Sequence, residues 1–329
     1  MLPYYNLIHS NMADGYLHNH KDFSDLLNIL ADKNNILPGL IEKDYWIMHV
    51  LYGLKEQGLD FELKGGTSLS KGYKIIDRFS EDIDIHIKPP VDLGVEENPA
   101  KTKPSHIESR KKYYDWLAAN IKIDGIVSVK RDTTFDDEAY YRSGGIRLLY
   151  ESKTESIEGV KEGILLEAGF DTVTPNSNLT ISSWAYDEAA GNGSIKITDN
   201  RAVDITCYHP GYTFVEKLQT IATKFRQEQE DKTERPNYMR QYYDVACLLK
   251  SELVQQFIDT DEYKAHKKKR FPAKDFAIPV AENQAFLLSD AALRNAFKKR
   301  YEKTNKLYYK GQIPFDEIMN IIQTNIGKL

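Results

Sequence analysis

Residues 61–87 constrain this chain more than any other stretch: Phe-Glu-Leu-Lys-Gly-Gly-Thr-Ser-Leu-Ser-Lys-Gly-Tyr-Lys-Ile-Ile-Asp-Arg-Phe-Ser-Glu-Asp-Ile-Asp-Ile-His-Ile. The pattern predicts a strand, a Gly65-Gly66 turn, a helix, and a second strand carrying Asp82 and Asp84. Without side chains at Gly65 and Gly66, a phosphate can approach the backbone closely, and the helix that follows points free N–H groups at an anion. Residues two apart on a strand share a face. Asp82 and Asp84 therefore project together, with Ile83, Ile85 and Ile87 packing behind them. Two adjacent carboxylates repel unless a cation lies between them, and Mg²⁺ is commonly held by one or two carboxylates plus substrate phosphates. Thr67 and Ser68 fall in the first helical turn, where each can cap the helix or bind phosphate. His86 is assigned to the face opposite the acids. A phosphate cradle facing a divalent-metal pair is the apparatus for moving a nucleotidyl or phosphoryl group.

The rest of the chain narrows the class. With 329 residues and 41% apolar content, it is one large domain or two modest ones. A net charge of -5 argues against a molecule that is basic all over, so any polynucleotide contact is local. The candidates are Lys267-Lys-Lys-Arg270, with Lys264, His266 and Lys274 nearby, and Lys298-Lys-Arg300. Such runs are otherwise solvated faces. Cys207 and Cys247 form no pairing motif, which suggests a reducing compartment. Met1-Leu-Pro-Tyr-Tyr5 has neither a basic start nor an apolar run, and no stretch approaches the roughly 20 apolar residues of a membrane helix. The expected address is the cytoplasm, with no membrane partner.

Helical spacing marks residues 19–35 and 38–57, the latter bracketed by Pro38 and Gly58. Residues 89–105, with four prolines, read as a mobile loop, followed by a helix over 105–120. β-Branched content predicts strands at 126–131, 146–150, 164–170 and 203–207, and Gly191-Asn-Gly-Ser194 reads as a turn. Helical periodicity dominates from Phe214 onward. The expected fold is α+β: a lobe with a mixed β-sheet flanked by helices over 1–210, opening with a helical segment over 1–58, then a helical C-terminal lobe over 211–329. Substrate belongs in the cleft between them.

Three blocks resemble the AbiEii/AbiGii toxin family, which includes MenT-type toxins, within the DNA polymerase β-like nucleotidyltransferases. They are Ile41-Glu-Lys-Asp-Tyr-Trp-Ile-Met-His-Val-Leu51; Lys64-Gly-Gly-Thr-Ser-Leu69 with Arg78-Phe-Ser-Glu-Asp-Ile-Asp84; and Glu216-Lys-Leu218 with Arg240-Gln-Tyr-Tyr-Asp244. The match is loose after about residue 255, and no chemical role follows for Glu42, Lys43 and Asp44. The resemblance implies an NTP substrate bound by Gly65, Gly66, Thr67, Ser68, Ser80 and Lys217. It also implies Mg²⁺ or Mn²⁺ on Asp82 and Asp84, and Asp244 in the cleft to orient the lysine or activate the acceptor. Arg78 pairs either with an acid or with substrate, and Arg240 with Asp244 can form a simple helix ion pair. A third carboxylate is expected on a neighbouring strand. Glu167, in an apolar run, is the choice for catalysis and metal, with Asp204 and Asp171 as competitors. The resemblance further implies a tRNA 3′ end as acceptor, a toxin role in a toxin–antitoxin or phage-defence pair, and a separately encoded antitoxin. The alternatives are nucleotidyl or phosphoryl transfer to a protein hydroxyl, or a non-catalytic nucleotidyltransferase-fold module that binds or acts as an antitoxin.

Overall fold

The computed structural model describes residues 15–171, 173–192 and 195–329. Met1–Tyr5 and part of the Gly191–Ser194 turn lie outside them. Two helices open the described chain, α1 (Phe23–Asn34) and α2 (Pro38–Glu56). Seven strands follow: β1 (Phe61–Lys64), β2 (Asp82–Ile87), β3 (Ile126–Arg131), β4 (Ser143–Tyr150), β5 (Ile164–Gly169), β6 (Asn176–Ile181) and β7 (Ala202–Tyr208). They form one mixed sheet in the order β3-β4-β5-β2-β1-β7-β6. Between β1 and β2 the chain makes the short helical turn α3 (Gly65–Thr67), which runs into a π-helical turn over Ser68–Gly72. The helix expected after the glycines is thus brief. Helix α4 spans Pro104–Asn120, and α5 spans Trp184–Gly191.

From Pro210 the described chain is helical: α6 (Pro210–Asp231), α7 (Met239–Leu249), α8 (Glu252–Phe257), α9 (Asp261–Arg270), α10 (Ala273–Phe276), α11 (Gln284–Leu287), α12 (Ala291–Glu302) and α13 (Phe315–Asn325). Proline at N1 of α2, α4 and α6 explains where these helices begin, because its fixed φ suits a position whose N–H has no intrahelical partner. The apolar core divides in two. One cluster joins α1 and α2 to the sheet, and the other gathers the C-terminal helices. Leu69 and Ile76, from the segment between β1 and β2, pack into the second cluster, so the phosphate-turn region is wedged between both.

Two sequence expectations change. The 89–105 segment is tied down by Arg110, which is fully buried and donates from Nη2 to the Lys101 carbonyl at 3.0 Å. Strand β6 and helix α5 were not foreseen. Strand β6 is polar and mostly exposed, so it lacks the alternation that betrays a strand, and its place comes from pairing with β7.

Helix α2 is buried nearly all round, and polar groups within it must find partners. His49 has its Nε2 3.0 Å from the Asp124 carbonyl and its Nδ1 2.8 Å from the Asn200 amide. Burial, and next the neighbouring His18, push the imidazole down to about 4 from 6.5. The folded state therefore binds fewer protons than the unfolded one. This contribution is fully present above 6.5 and is lost as pH falls toward 4, by up to about 3 kcal/mol. Urea unfolding between these pH values is expected to show a shallower loss for His49→Gln than for the parent. Equal slopes would remove His49 from the acid response.

Candidate active site

Strand β2 alternates as its sequence requires. Ile83, Ile85 and Ile87 are fully buried, while Asp82, Asp84 and His86 are half-buried on the other face. His86 thus shares the face of the acids, contrary to the sequence reading, because it follows Asp84 by two residues. It is engaged elsewhere, with its Nδ1 2.6 Å from Glu62 Oε2.

The parallel pairing of β2 with β5 sets Glu167 directly beside Asp84. The two other third-carboxylate candidates are not brought there. Asp204 is exposed on β7, beyond β1, and its carbonyl accepts from Lys55 Nζ at 2.9 Å. Asp171 lies past the end of β5 and pairs with Arg270 at 2.7 Å and Lys64 at 3.7 Å. Crowding marks the group that does assemble. Burial first, then Asp84 and Asp82, push the Glu167 carboxyl up to about 7. Burial also raises Asp84, and Asp82 adds to it against the opposing pull of Lys64, Lys217 and Lys161.

The glycine turn is built against these acids. Gly65 has φ +72°, and a Cβ on it would lie 2.1 Å from Asp84 Oδ2. A Cβ on Gly66 would lie 2.5 Å from Ser80 Oγ. Thr67 and Ser68 are fully buried and turn their hydroxyls inward, donating to the carbonyls of Asp82 and Gly65. Gly65→Ala is therefore expected to lower stability by about 1–3 kcal/mol and to displace the Asp84 carboxylate. A melting curve identical to the parent's would show that the turn accommodates a side chain.

The helical part supplies the opposite charge. Asp244 of α7 is fully buried and accepts from Arg78 Nε at 2.7 Å, Arg78 Nη2 at 2.6 Å and Lys217 Nζ at 2.7 Å. Burial alone would raise this carboxyl, but the Arg78 guanidinium and the Lys217 ammonium hold it down to about 2. Arg78 thus pairs with an acid, and the alternative Arg240–Asp244 helix pair is absent among the described residues. Among the described residues Arg240, only 8% exposed, makes no ion pair.

Among the described residues no group of three His, Cys, Asp or Glu side chains is gathered as a metal site. Lys161 Nζ stands 2.7 Å from Asp82 Oδ2. The other oxygen, Asp82 Oδ1, is buried with no hydrogen-bond partner. An orphaned carboxylate oxygen beside a second crowded carboxylate fits a divalent cation, which would relieve both the repulsion and the missing partner.

The family model described as nucleotidyl transferase AbiEii toxin, Type IV TA system, matches residues 49–321. The chain belongs to this family. No curated protein matches it. AbiEii membership makes it a nucleotidyltransferase of the toxin side of a toxin–antitoxin system, with an NTP substrate and an antitoxin partner implied. No helix among the described residues is long and apolar enough to cross a membrane.

Sequence reasoning missed the charged girdle around this AbiEii site. Glu42, Lys43 and Asp44 are each at most 2% exposed. Glu42 accepts from Ser152, Lys153 and Thr154. Lys43 donates to the Lys161 carbonyl and lies 3.9 Å from Glu81. Asp44 pairs with Lys71 at 2.6 Å and accepts from the Trp184 N–H at the start of α5. Three charges in a row inside a helix with apolar neighbours were the available signal, since buried charges demand partners. The basic runs are more committed than expected. Arg270 binds Asp171, Lys267 binds the Leu329 carbonyl, Lys298 binds Asp316, and Arg300 binds Glu228. Lys268 and Lys269 remain exposed.

Proposed function

We propose that this AbiEii protein moves a nucleoside monophosphate from an NTP to an acceptor hydroxyl, with Mg²⁺ or Mn²⁺ as cofactor and the 3′ end of tRNA as acceptor. It acts in the cytoplasm as a toxin whose partner is a separately encoded antitoxin. In this reading residues 1–210 form the catalytic lobe, and the helical lobe over 211–329 contributes Lys217 and Asp244. The observation that carries the reading is the register that sets Glu167 beside Asp84, with Asp82 on the same strand face as Asp84, next to the Gly65-Gly66 turn.

The NTP phosphates lie along the Gly65–Ser68 turn, whose missing Cβ atoms make room for the Asp84 carboxylate and the Ser80 hydroxyl and so bring turn and acids together. The inward hydroxyls of Thr67 and Ser68 keep that turn in shape, and Ser80 flanks it. Lys217 spends donors on Asp244 and on Gln241 Oε1 at 3.2 Å, which leaves one of its three for phosphate. Asp244 aims the ammonium. Asp82 and Asp84, with Glu167, would hold the divalent cation, which would supply charge neutralisation on the triphosphate; the acceptor oxygen bonds to the α-phosphorus and pyrophosphate leaves. Glu167 also stands ready to take the proton of the acceptor hydroxyl.

Incubation with each labelled NTP, Mg²⁺ and total tRNA tests this reading. Label on RNA is expected. Label on protein would replace the acceptor, and no label with any NTP would reject transfer altogether. Lys217→Ala is expected to weaken NTP binding by about tenfold or more, with little recovery in Lys217→Arg, because a planar guanidinium does not place its donors as an ammonium does. Calorimetry with a non-hydrolysable NTP reads this directly, and equal affinities would return Lys217 to a structural role.

A further inference from the structure

The connection between β4 and β5, residues 151–163, has no helix or strand of its own, yet it is anchored along its length. The Glu42 carboxylate, 1% exposed, accepts from Ser152 Oγ at 2.8 Å, the Lys153 N–H at 2.8 Å and Thr154 Oγ1 at 2.6 Å. Glu81 accepts the Lys161 N–H at 3.0 Å, and Lys43 donates to the Lys161 carbonyl. Arg147 Nη1 donates to the Glu162 carbonyl at 3.1 Å. Gly163, at φ +61°, then returns the chain so close to β4 that a Cβ there would lie 2.3 Å from the Leu148 carbonyl oxygen. The result of these anchors is the position of one ammonium. Lys161 Nζ is 2.7 Å from Asp82 Oδ2 and 4.6 Å from the centre of the Phe135 ring.

A partly exposed lysine–carboxylate pair adds little stability by itself. Buried charges such as Glu42, Lys43 and Glu81 are costly to desolvate, so using them to clamp a loop backbone is poor economy for stability alone. Their effect is positional. They bring a cation to one oxygen of Asp82 while the other, Oδ1, stays buried without a partner.

We propose that residues 151–163 form a strap that sets a lysine counter-ion on Asp82 Oδ2, and that a divalent cation held by Asp82 competes with this ammonium for the charge of the carboxylate. The inference rests on the reading of Asp82 as a metal ligand. The strap sets cation affinity from outside the ligand set, because the ammonium and the metal compete for one carboxylate.

The test is Mn²⁺ titration calorimetry on the full chain without nucleotide. Lys161→Met is expected to bind Mn²⁺ about tenfold more tightly than the parent, and Lys161→Arg, which keeps the charge, to stay near the parent. The double variant Ser152→Ala/Thr154→Val loosens the strap without touching the lysine, and it is expected to shift affinity in the same direction by a smaller factor. It also serves if Lys161→Met does not fold. Unchanged or weaker Mn²⁺ binding in Lys161→Met, with Asp82→Asn binding less than the parent, overturns the strap alone. Mn²⁺ binding by Asp82→Asn equal to the parent's overturns the metal reading beneath it.

Discussion

Asp84→Asn is expected to abolish nucleotidyl transfer, by about a thousandfold or more, while the protein melts no lower than its parent. Asp84 faces Glu167 across the β2–β5 pairing and fills the space left by the missing Gly65 side chain. Asparagine keeps that shape but removes the charge that a divalent cation needs. Losing a single electrostatic contact to a developing charge typically costs about 10²–10³ in rate, and a metal ligand contributes through the whole cation. Stability moves the other way. Burial and Asp82 already disfavour ionisation of Asp84, so a neutral side chain relieves crowding. Asp82→Asn is expected to lose activity equally, and it also releases Lys161. Turnover with Mg²⁺ and NTP, measured beside a melting curve, decides the matter. Near-normal turnover in either variant would show that these acids do not serve the reaction.

Asp244→Ala has the largest expected effect on folding, a loss of about 3–5 kcal/mol. Asp244, Arg78 and Lys217 are at most 8% exposed, and the single carboxylate is the ion-pair partner of both cations. Without it two positive charges stay buried beside each other. Arg78 comes from the segment leading into β2, whereas Lys217 and Asp244 come from α6 and α7, so the same cluster joins the sheet to the helical part. The pH dependence follows. The carboxyl falls from 3.8 to about 2 on folding, so its contribution is complete above 3.8 and is lost as pH drops toward 2. Denaturant unfolding of Asp244→Ala checks the magnitude. A loss below about 1 kcal/mol would mean that water reaches Arg78 and Lys217 and the cluster is not sealed. Restored stability in Asp244→Ala combined with Lys217→Met would assign part of the cost to the stranded ammonium.

What was legible in the sequence is what the local chain decides. The Gly65-Gly66 turn, the two-residue period of Asp82 and Asp84, and the extents of β3 and β5 follow from backbone freedom, side-chain alternation and β-branching, all properties of neighbours along the chain. The loop over 89–105 misled because its composition is that of a free connection, while the arginine that holds it lies on the following helix. His86 was misassigned by a slip of one residue in the alternation that served Asp82 and Asp84 correctly.

Only tertiary structure could show which of Glu167, Asp204 and Asp171 lies beside Asp84, because all three are acids at or near strands. The choice depends on strand order and register. Glu167 meets Asp84 because β5 pairs with β2, whereas Asp204 sits on β7 across β1. The same holds for the charges that pattern reading left without a purpose. Asp244 finds Arg78 across 166 positions, and Glu42 reaches the Ser152 and Thr154 hydroxyls and the Lys153 N–H across 110 to 112. A carboxylate carries no mark of its partner in its own neighbourhood. Burial forces each charge to find one, and the packing of sheet against helices determines which.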